Sequence, residues 1–192
     1  MSDTGTPKSR IVSAALRLAA ERPWSEVTLI DIASAAGLSL KDLRAEFASK
    51  GEILAAFGRM IDDEVLARAT RRPEGQSTRD TLFEVLMSRF DALAPYRKAL
   101  ASIHASGAAD PAFLRAFLSS QTWMLNAAGV STDGIEGGIR VAGLASVYAS
   151  VFQTWLEDDD PGLARTMAAL DRRLRRGERT METVDGVAAA LR

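Results

Sequence analysis

Helical periodicity runs through almost the whole sequence, and it limits the possible folds more than any other feature. Apolar residues recur three and four positions apart, and no segment alternates apolar and polar residues for long enough to predict a β-strand. Hydrophobic residues make up 47% of the chain, which is sufficient for a packed core. We therefore expect an all-α globular fold.

The composition excludes several kinds of site. The chain has no cysteine, which excludes disulfides, thiolate metal ligands and a cysteine nucleophile. It has one histidine and no phosphate-binding loop after a strand, so we predict no catalytic residue, no metal site and no cofactor, and we do not expect an enzyme. An apolar leader and a run of about 18 apolar residues are both missing, so we expect a cytoplasmic protein without a membrane span.

Capping signals mark the starts of most of the predicted helices. Three segments combine an N-cap hydroxyl with a carboxylate three residues later: Thr28-x-x-Asp31, Ser39-x-x-Asp42 and Ser49-x-x-Glu52, of which only the third has the usual Glu. Two segments place a capping Asp before a proline: Asp110-Pro111 and Asp160-Pro161. The acidic run 157–160 is expected to be a solvated turn that caps the next helix. These signals and the periodicity predict helices at 9–22, 28–36, 39–47, 50–71, 78–93, 95–106, 111–128, 134–157 and 161–177.

The segment 71–76 is the expected boundary between two domains, because its proline and glycine lie close together and stop a helix. Residues 1–54 are predicted to form the first domain, with 50–71 as a connecting helix. Residues 73–192 are predicted to form a second helical domain. Its last part, 180–191, is expected to be a separate amphipathic tail with these residues on one face: Met181, Val184, Val187 and Leu191.

Ala33, Gly37 and Leu43 have the spacing of a helix-turn-helix. The spacing places a small residue where two helices cross, glycine where the turn needs a left-handed backbone, and an apolar anchor under the second helix. A helical hairpin without a role in DNA binding can have the same spacing. The three positions alone therefore leave both interpretations open.

A longer pattern around this turn closely resembles the signature of the TetR family of bacterial transcription regulators. It consists of Arg10-Ile11-Val12-x-Ala14-Ala15, then Val27-Thr28-Leu29-x-x-Ile32-Ala33-x-x-Ala36-Gly37-Leu38-Ser39, then Leu43-x-x-x-Phe47-x-x-Lys50-x-x-Ile53-Leu54. The resemblance implies an N-terminal three-helix helix-turn-helix domain and a C-terminal helical domain for ligand binding and dimerisation. It also implies a homodimer, a palindromic double-stranded DNA operator, a small apolar or amphipathic ligand of unknown identity, and a function as a transcriptional repressor.

The resemblance assigns DNA contacts to particular residues. Thr28 would contact a phosphate at the start of the second helix, and Lys50 would hold a flanking phosphate. Ser39, Leu40 and Lys41 would open the recognition helix toward the base edges.

Two residues of the recognition helix depart from the family's usual pattern. Arg44 stands where the family often has Tyr, and a guanidinium can bind a phosphate or a guanine edge. Glu46 stands where the family often has His, and a carboxylate near the DNA backbone is repelled unless it accepts from cytosine or pairs with an arginine. Asp42 and Glu46 bring residues 39–47 to zero net charge, within a chain of net charge −1. DNA binding must therefore depend on a few well-placed groups.

The second domain offers candidates for a ligand pocket and for a dimer interface. The pocket candidates are bulky side chains on helices that could enclose a cavity: Tyr96, His104, Phe117, Trp123, Tyr148 and Phe152. The interface candidates are small residues of one helix and the apolar stripe of the next: Gly138, Ala142, Ala145, Leu163, Met167, Leu170 and Leu174. Ordinary core packing within one chain is the alternative for both sets.

A different function also fits the sequence. A lipid- or quinone-binding protein with the TetR fold and without DNA binding would account for Glu46, for the zero net charge of the recognition helix and for the amphipathic tail. Residues 155–174 faintly resemble the C-terminal part of the TetR-fold lipid-binding proteins of ubiquinone biosynthesis.

Overall fold

A computed structural model describes residues 5–69, 75–107 and 110–190. The described residues contain helices and no strand, which confirms the predicted all-α fold. The helices are α1 (Pro7–Glu21), α2 (Leu29–Ala35), α3 (Leu40–Glu46), α4 (Lys50–Arg68), α5 (Thr78–Leu93), α6 (Arg97–Ala105), α7 (Pro111–Ala127), α8 (Gly134–Leu156) and α9 (Ala164–Ala190), with short 3-10 turns at Trp24–Glu26 and Ala94–Tyr96.

The chain divides into two compact units. Unit 1 consists of the residues up to Ile61 together with Leu93–Phe117, and unit 2 consists of Asp62–Ala92 together with the residues from Leu118 onward. The division therefore falls within α4 and α7, and α6 belongs to the same unit as the helix-turn-helix. Most of the boundary expected at 71–76 lies outside the described residues, so the domain limits 1–54 and 73–192 stay a prediction.

Unit 1 is built on α1, which packs against α2, α3 and α6. Its core contains buried side chains from all of these segments: Ile11, Ala15, Trp24, Ile32, Leu43, Phe47 and Ala99. Ser102 of α6 links to the loop after α1, since its hydroxyl accepts from Trp24 N–H at 2.9 Å and donates to the Arg22 carbonyl at 3.2 Å. The three-helix domain thus has α6 as an additional support.

Unit 2 is dominated by the packing of α8 on α9. Aromatic rings fill its interior: Phe90 stacks on Tyr148 with centroids 5.1 Å apart, and Trp155 lies 5.6 Å from Phe90. Leu170 of α9 is fully buried in the same unit.

The caps at the starts of α4 and α7 meet in unit 1. Asp110 accepts from Ala112 N–H at 2.8 Å, which confirms it as the cap of α7. Its other carboxylate oxygen accepts from the Ser49 hydroxyl at 3.0 Å. Ser49 caps α4 as predicted by accepting from Glu52 N–H at 3.2 Å, whereas the Glu52 carboxylate accepts from Ala48 N–H and not from the N-cap residue.

The start of α9 differs from the sequence prediction. The chain forms a turn at 161–162 and the helix begins at Ala164 and not at 161, but Asp160 still caps it by accepting from the Ala164 N–H at 3.1 Å. Asp158 is buried, and it accepts from the Thr166 backbone N–H at 2.8 Å and from the Thr166 hydroxyl at 2.7 Å. The prediction of a solvated acidic turn is therefore wrong for Asp158, whose carboxylate is held by the first turn of the helix.

The end of α9 also differs from the prediction. The helix continues without interruption to Ala190, so a tail separated from it near 178–180 is wrong. The side chains proposed for the apolar face of that tail lie outside the residues whose side chains are described.

Candidate nucleic-acid interface

The turn between α2 and α3 is closed by backbone hydrogen bonds that require glycine at the bend. Gly37 has a φ of +66°. Leu38 N–H donates to the Ala33 carbonyl at 2.9 Å, and Gly37 N–H donates to the Ser34 carbonyl at 3.0 Å. These two bonds form a Schellman motif, in which glycine takes the left-handed position after the helix. Ala33 and Leu43 are buried on either side of the turn, as their spacing predicts.

Two arginines of α1 hold the carbonyl end of α2. Arg17 donates to the Ala35 carbonyl at 2.9 Å, and Arg10 donates to the carbonyls of Ala36 and Gly37, the second at 3.3 Å. Cations at this end of a helix are favourable, because the unpaired carbonyls carry partial negative charge. The sequence signature contains Arg10 but gave it no role, since its partners are far away along the chain.

Replacement of Gly37 by alanine should destabilise the protein. A left-handed backbone at a non-glycine residue costs about 1–2 kcal/mol, and the new Cβ would lie 2.8 Å from Arg10 Nη2. We expect the free energy of unfolding, measured by urea titration, to fall by about 1–2 kcal/mol. The matched control is Gly58→Ala in α4, where a Cβ meets no atom within 4 Å and helix propensity favours alanine. Equal effects of the two changes would contradict the role of Gly37.

The hydroxyls at the starts of α2 and α3 are engaged in complete capping boxes. Thr28 accepts from Asp31 N–H at 3.2 Å and donates to the Asp31 carboxylate at 2.6 Å. Ser39 makes the same pair with Asp42 at 3.1 and 2.6 Å. The side-chain hydrogen bonds from Thr28 and Ser39 lower the pKa of Asp31 and of Asp42 respectively. A phosphate would have to compete with these carboxylates for each hydroxyl proton.

Almost the whole outer surface of α3 is exposed to solvent. Leu43 is the only buried residue of this helix, and the other six are exposed. Lys41, Arg44 and Glu46 form no hydrogen bond or ion pair with any residue in the described part of the chain. An exposed helix with unengaged basic side chains is the arrangement that a major groove can accept.

Lys50 is held inside unit 1 to a greater extent than the sequence suggested. Its Nζ donates to the carbonyls of Trp24 at 2.6 Å and Val27 at 2.7 Å, and lies 4.2 Å from the centroid of a Trp24 ring. Burial lowers the pKa of Lys50. Two of its three N–H donors thus fix the segment that leads into α2, and one is left for a phosphate.

The family model for bacterial regulatory proteins of the tetR family matches residues 11–57, which extend from α1 into α4. Residues 11–57 are therefore a TetR-type DNA-binding domain. Family model and fold together support a TetR-type DNA-binding transcriptional regulator.

Solved structures of TetR regulators share the fold of this chain over most of its length. The TetR transcriptional regulator from Nitrosomonas europaea ATCC 19718 is 25% identical, with a TM-score of 0.68 over 90% of this chain and 98% of that chain. A TetR transcriptional regulator from Rhodococcus sp. RHA1 is 20% identical, with a TM-score of 0.67 over 88% and 93%. A tetR-family regulator from Streptomyces coelicolor is 19% identical, with a TM-score of 0.55 over 95% and 84%. No curated protein matches the chain significantly in sequence.

The six pocket candidates fall in both units. Tyr96, His104 and Phe117 belong to unit 1, where Tyr96 packs edge-on against Phe57 and His104 is exposed. Those in unit 2 are Trp123, Tyr148 and Phe152. Trp123 is 54% exposed, whereas Tyr148 is buried and stacks with Phe152.

Unit 2 also contains a buried ionic cluster that the sequence does not reveal. Arg89 donates to Asp62 Oδ1 at 3.0 Å and to the Tyr148 hydroxyl, and Ser120 donates to the same Asp62 oxygen at 2.8 Å. Burial by itself lowers the pKa of Arg89, but Tyr148 and Asp62 raise it by more, so the guanidinium stays charged. Burial raises the pKa of Tyr148 and keeps the phenol neutral.

The interface candidates divide according to their burial. Gly138, Ala142 and Met167 are exposed. The other four are buried within the single chain: Ala145, Leu163, Leu170 and Leu174. The apolar stripe of α9 therefore serves the core of its own unit, and the part of these elements that a second copy could reach is the outer face of α8 with Met167.

The described residues contain neither a bilayer-spanning helix nor a metal-binding cluster. None of the helices there combines the length and the apolar character that a bilayer-spanning segment requires. No group of three or more His, Cys, Asp or Glu side chains in that part of the chain could hold a metal ion.

Proposed function

We propose that this TetR family member is a cytoplasmic, ligand-responsive repressor that binds a palindromic DNA operator as a homodimer. The observation that carries the proposal is the surface of α3, which buries Leu43 alone and presents Lys41 and Arg44 without internal partners. Recognition helices of this kind lie in the major groove, where Arg and Lys bind guanine or the flanking phosphates.

The outer face of α8 supports a homodimer. Small residues follow one another along this exposed face: Gly138, Ala142, Gly143, Ser146 and Ala149. A Cβ placed on Gly138 or Gly143 would meet no other atom within 4 Å, so packing inside the chain does not require glycine there. Glycine within a helix costs about 1 kcal/mol relative to alanine. Close approach of a second helix would explain why the two glycines are present.

Large apolar side chains flank these small residues. Ile135 is 85% exposed and Ile139 is 46% exposed, and Met167 of α9 is also exposed. A two-fold symmetric dimer places the same face on both copies, and dimeric helix-turn-helix proteins bind operators with matching two-fold symmetry. The exposed face of α8 thus supports both the proposed homodimer and the proposed palindromic operator.

The interior of unit 2 supports a response to a ligand. The charged Arg89 lies 4.9 Å from the ring centroid of Tyr148, and Tyr148 stacks with Phe152, so a ligand admitted there would meet both apolar surface and polar groups. We expect a small apolar or amphipathic compound. Mass spectrometry of small molecules that co-purify with the protein would identify its class.

Replacement of Arg44 by alanine should weaken binding to an operator selected by the wild-type protein. We expect the dissociation constant to rise about tenfold or more, because a bidentate arginine contact contributes about 1–3 kcal/mol. Fluorescence anisotropy titrations at several salt concentrations would measure the affinity and its salt dependence. Arg59→Ala, which removes an exposed arginine of α4, is the charge-matched control. If affinity and salt slope were the same for wild type and Arg44→Ala, the assigned role of Arg44 would be wrong.

The alternative is a TetR-fold lipid- or quinone-binding protein without DNA binding. The observation that favours it is Glu46, an exposed carboxylate on a recognition helix. A liposome flotation assay beside the DNA titration distinguishes the two. Binding to DNA without flotation supports the regulator, and flotation without DNA binding supports the alternative.

A further inference from the structure

Glu46 has no structural task within the described residues. Its side chain is exposed and forms no hydrogen bond or ion pair there. Asp42, the other carboxylate of α3, differs because it completes the capping box with Ser39. The presence of Asp42 is thus explained by folding, and that of Glu46 is not.

The position of Glu46 is unfavourable for the helix itself. It is the last residue of α3, where the unpaired carbonyls repel negative charge. It also lies four residues after Asp42, and like charges at this spacing repel each other. A residue that opposes local stability without compensation is expected at a functional position.

The exposed surface of α3 consists of three rows, each of two residues one turn apart. The central row, Lys41 and Ala45, lies opposite the buried Leu43. One flanking row contains Leu40 and Arg44, and the other contains the carboxylates of Asp42 and Glu46. Arg44 and Glu46 therefore point to opposite sides of the helix and can bind different parts of one groove.

We propose that Glu46 determines DNA specificity by accepting a hydrogen bond from the N4 amino group of a cytosine in the major groove. The inference rests on the proposed DNA-binding function. The small side chain of Ala45 allows the helix to approach the bases closely at this turn. On one flank of the helix, Arg44 attracts the DNA. On the other flank, Glu46 allows tight binding only where the DNA presents an amino group.

The chemistry of the base edges selects cytosine. Guanine presents two acceptors in the major groove, and thymine presents an acceptor and a methyl group, so neither can donate to a carboxylate. Adenine has an amino donor, but its N7 acceptor lies beside that donor and repels a carboxylate oxygen. Cytosine presents the amino group without an adjacent acceptor on the same base. Away from such a site, the carboxylate is repelled by phosphates, so Glu46 also weakens nonspecific binding.

The test begins with a duplex selected by the wild-type protein from a random library. Dissociation constants are then measured for every single base-pair change in one half-site, with wild type, Glu46→Ala and Glu46→Gln. Asp63→Asn, which neutralises an exposed carboxylate of α4, controls for the change in net charge. Thermal unfolding of the four proteins is recorded in parallel.

We expect wild type to prefer cytosine at one position of the half-site by about tenfold or more. Glu46→Ala should lose this preference at that position alone and should bind random duplex DNA more tightly, whereas Asp63→Asn should keep the wild-type profile. Glu46→Gln should unfold at a higher temperature than wild type, because the repulsion with Asp42 is removed.

An unchanged base profile in Glu46→Ala, with binding retained, would overturn the inference and leave the proposed function intact. A uniform change at all positions would overturn it as well. If the wild-type protein enriched no duplex, both the proposed function and the inference would be overturned. A lower unfolding temperature for Glu46→Gln would show that Glu46 stabilises the fold and would also count against the inference.

Discussion

Replacement of Arg89 by methionine is expected to lower the free energy of unfolding by about 3–5 kcal/mol, because it removes one partner of a buried ion pair. Arg89 is only 6% exposed, and its Nε donates to Asp62, which is only 7% exposed. Without the guanidinium, the Asp62 carboxylate would keep the Ser120 hydroxyl as a donor and would lose its countercharge. Urea titration followed by circular dichroism would measure the loss.

The double variant Arg89→Met, Asp62→Asn separates the ion pair from simple packing. Because it removes both charges together, we expect it to recover more than half of the stability lost by Arg89→Met. Arg97→Met, at a half-buried position of α6, is a comparison variant for the loss of an arginine elsewhere. If Arg89→Met lowered the free energy of unfolding by about 1 kcal/mol or less, the cluster would not be important for stability, because a typical point mutation already causes a loss of that size.

Replacement of Ile139 by aspartate is expected to convert the proposed dimer into a monomer. Ile139 is 46% exposed in the single chain, so a charge there should leave the protomer folded. In the proposed dimer the same charge would be buried against the second copy without a partner, which is strongly unfavourable. Sedimentation velocity at micromolar concentration should show a single species of about half the wild-type mass, with an unchanged helical spectrum.

The control for Ile139→Asp is Leu114→Asp, which introduces the same charge at an exposed apolar position of α7. This variant should remain dimeric. Leu170→Asp is unsuitable as an interface test, because Leu170 is fully buried in its own chain and the charge would unfold the protomer. A wild-type protein that sediments as a monomer, or an Ile139→Asp variant that sediments as a dimer, would contradict the proposed interface.

The helix-turn-helix could be predicted from the sequence because its determinants are local. The Schellman turn at Gly37 joins residues five apart, and the capping boxes of Thr28 and Ser39 span three residues each. Short-range hydrogen bonds of this kind leave a readable pattern in residue type and spacing.

Contacts between distant parts of the chain could not be predicted in the same way. Arg89 pairs with Asp62 and Tyr148, which are 27 and 59 residues away. Lys50 was assigned to a phosphate, and only the fold shows that its ammonium group also binds the Trp24 carbonyl, 26 residues away. No spacing rule links such residues, because their proximity results from the packing of whole helices.

The apolar stripe of α9 shows a second limit of prediction from the sequence. Periodicity identifies Leu163, Leu170 and Leu174 as one face, but it does not say whether that face packs on the same chain or on a second copy. Burial within the protomer decides the question for these three residues. The exposed small residues of α8 then become the better candidates for a dimer contact.

The most direct test of DNA recognition by a homodimer is selection of duplexes from a random library by the wild-type protein, followed by determination of the stoichiometry of the bound complex. We expect one enriched inverted repeat, with its half-sites about one helical turn or a multiple of it apart, bound by an even number of protomers. Failure to enrich any sequence, or one protomer bound to a site without symmetry, would contradict it.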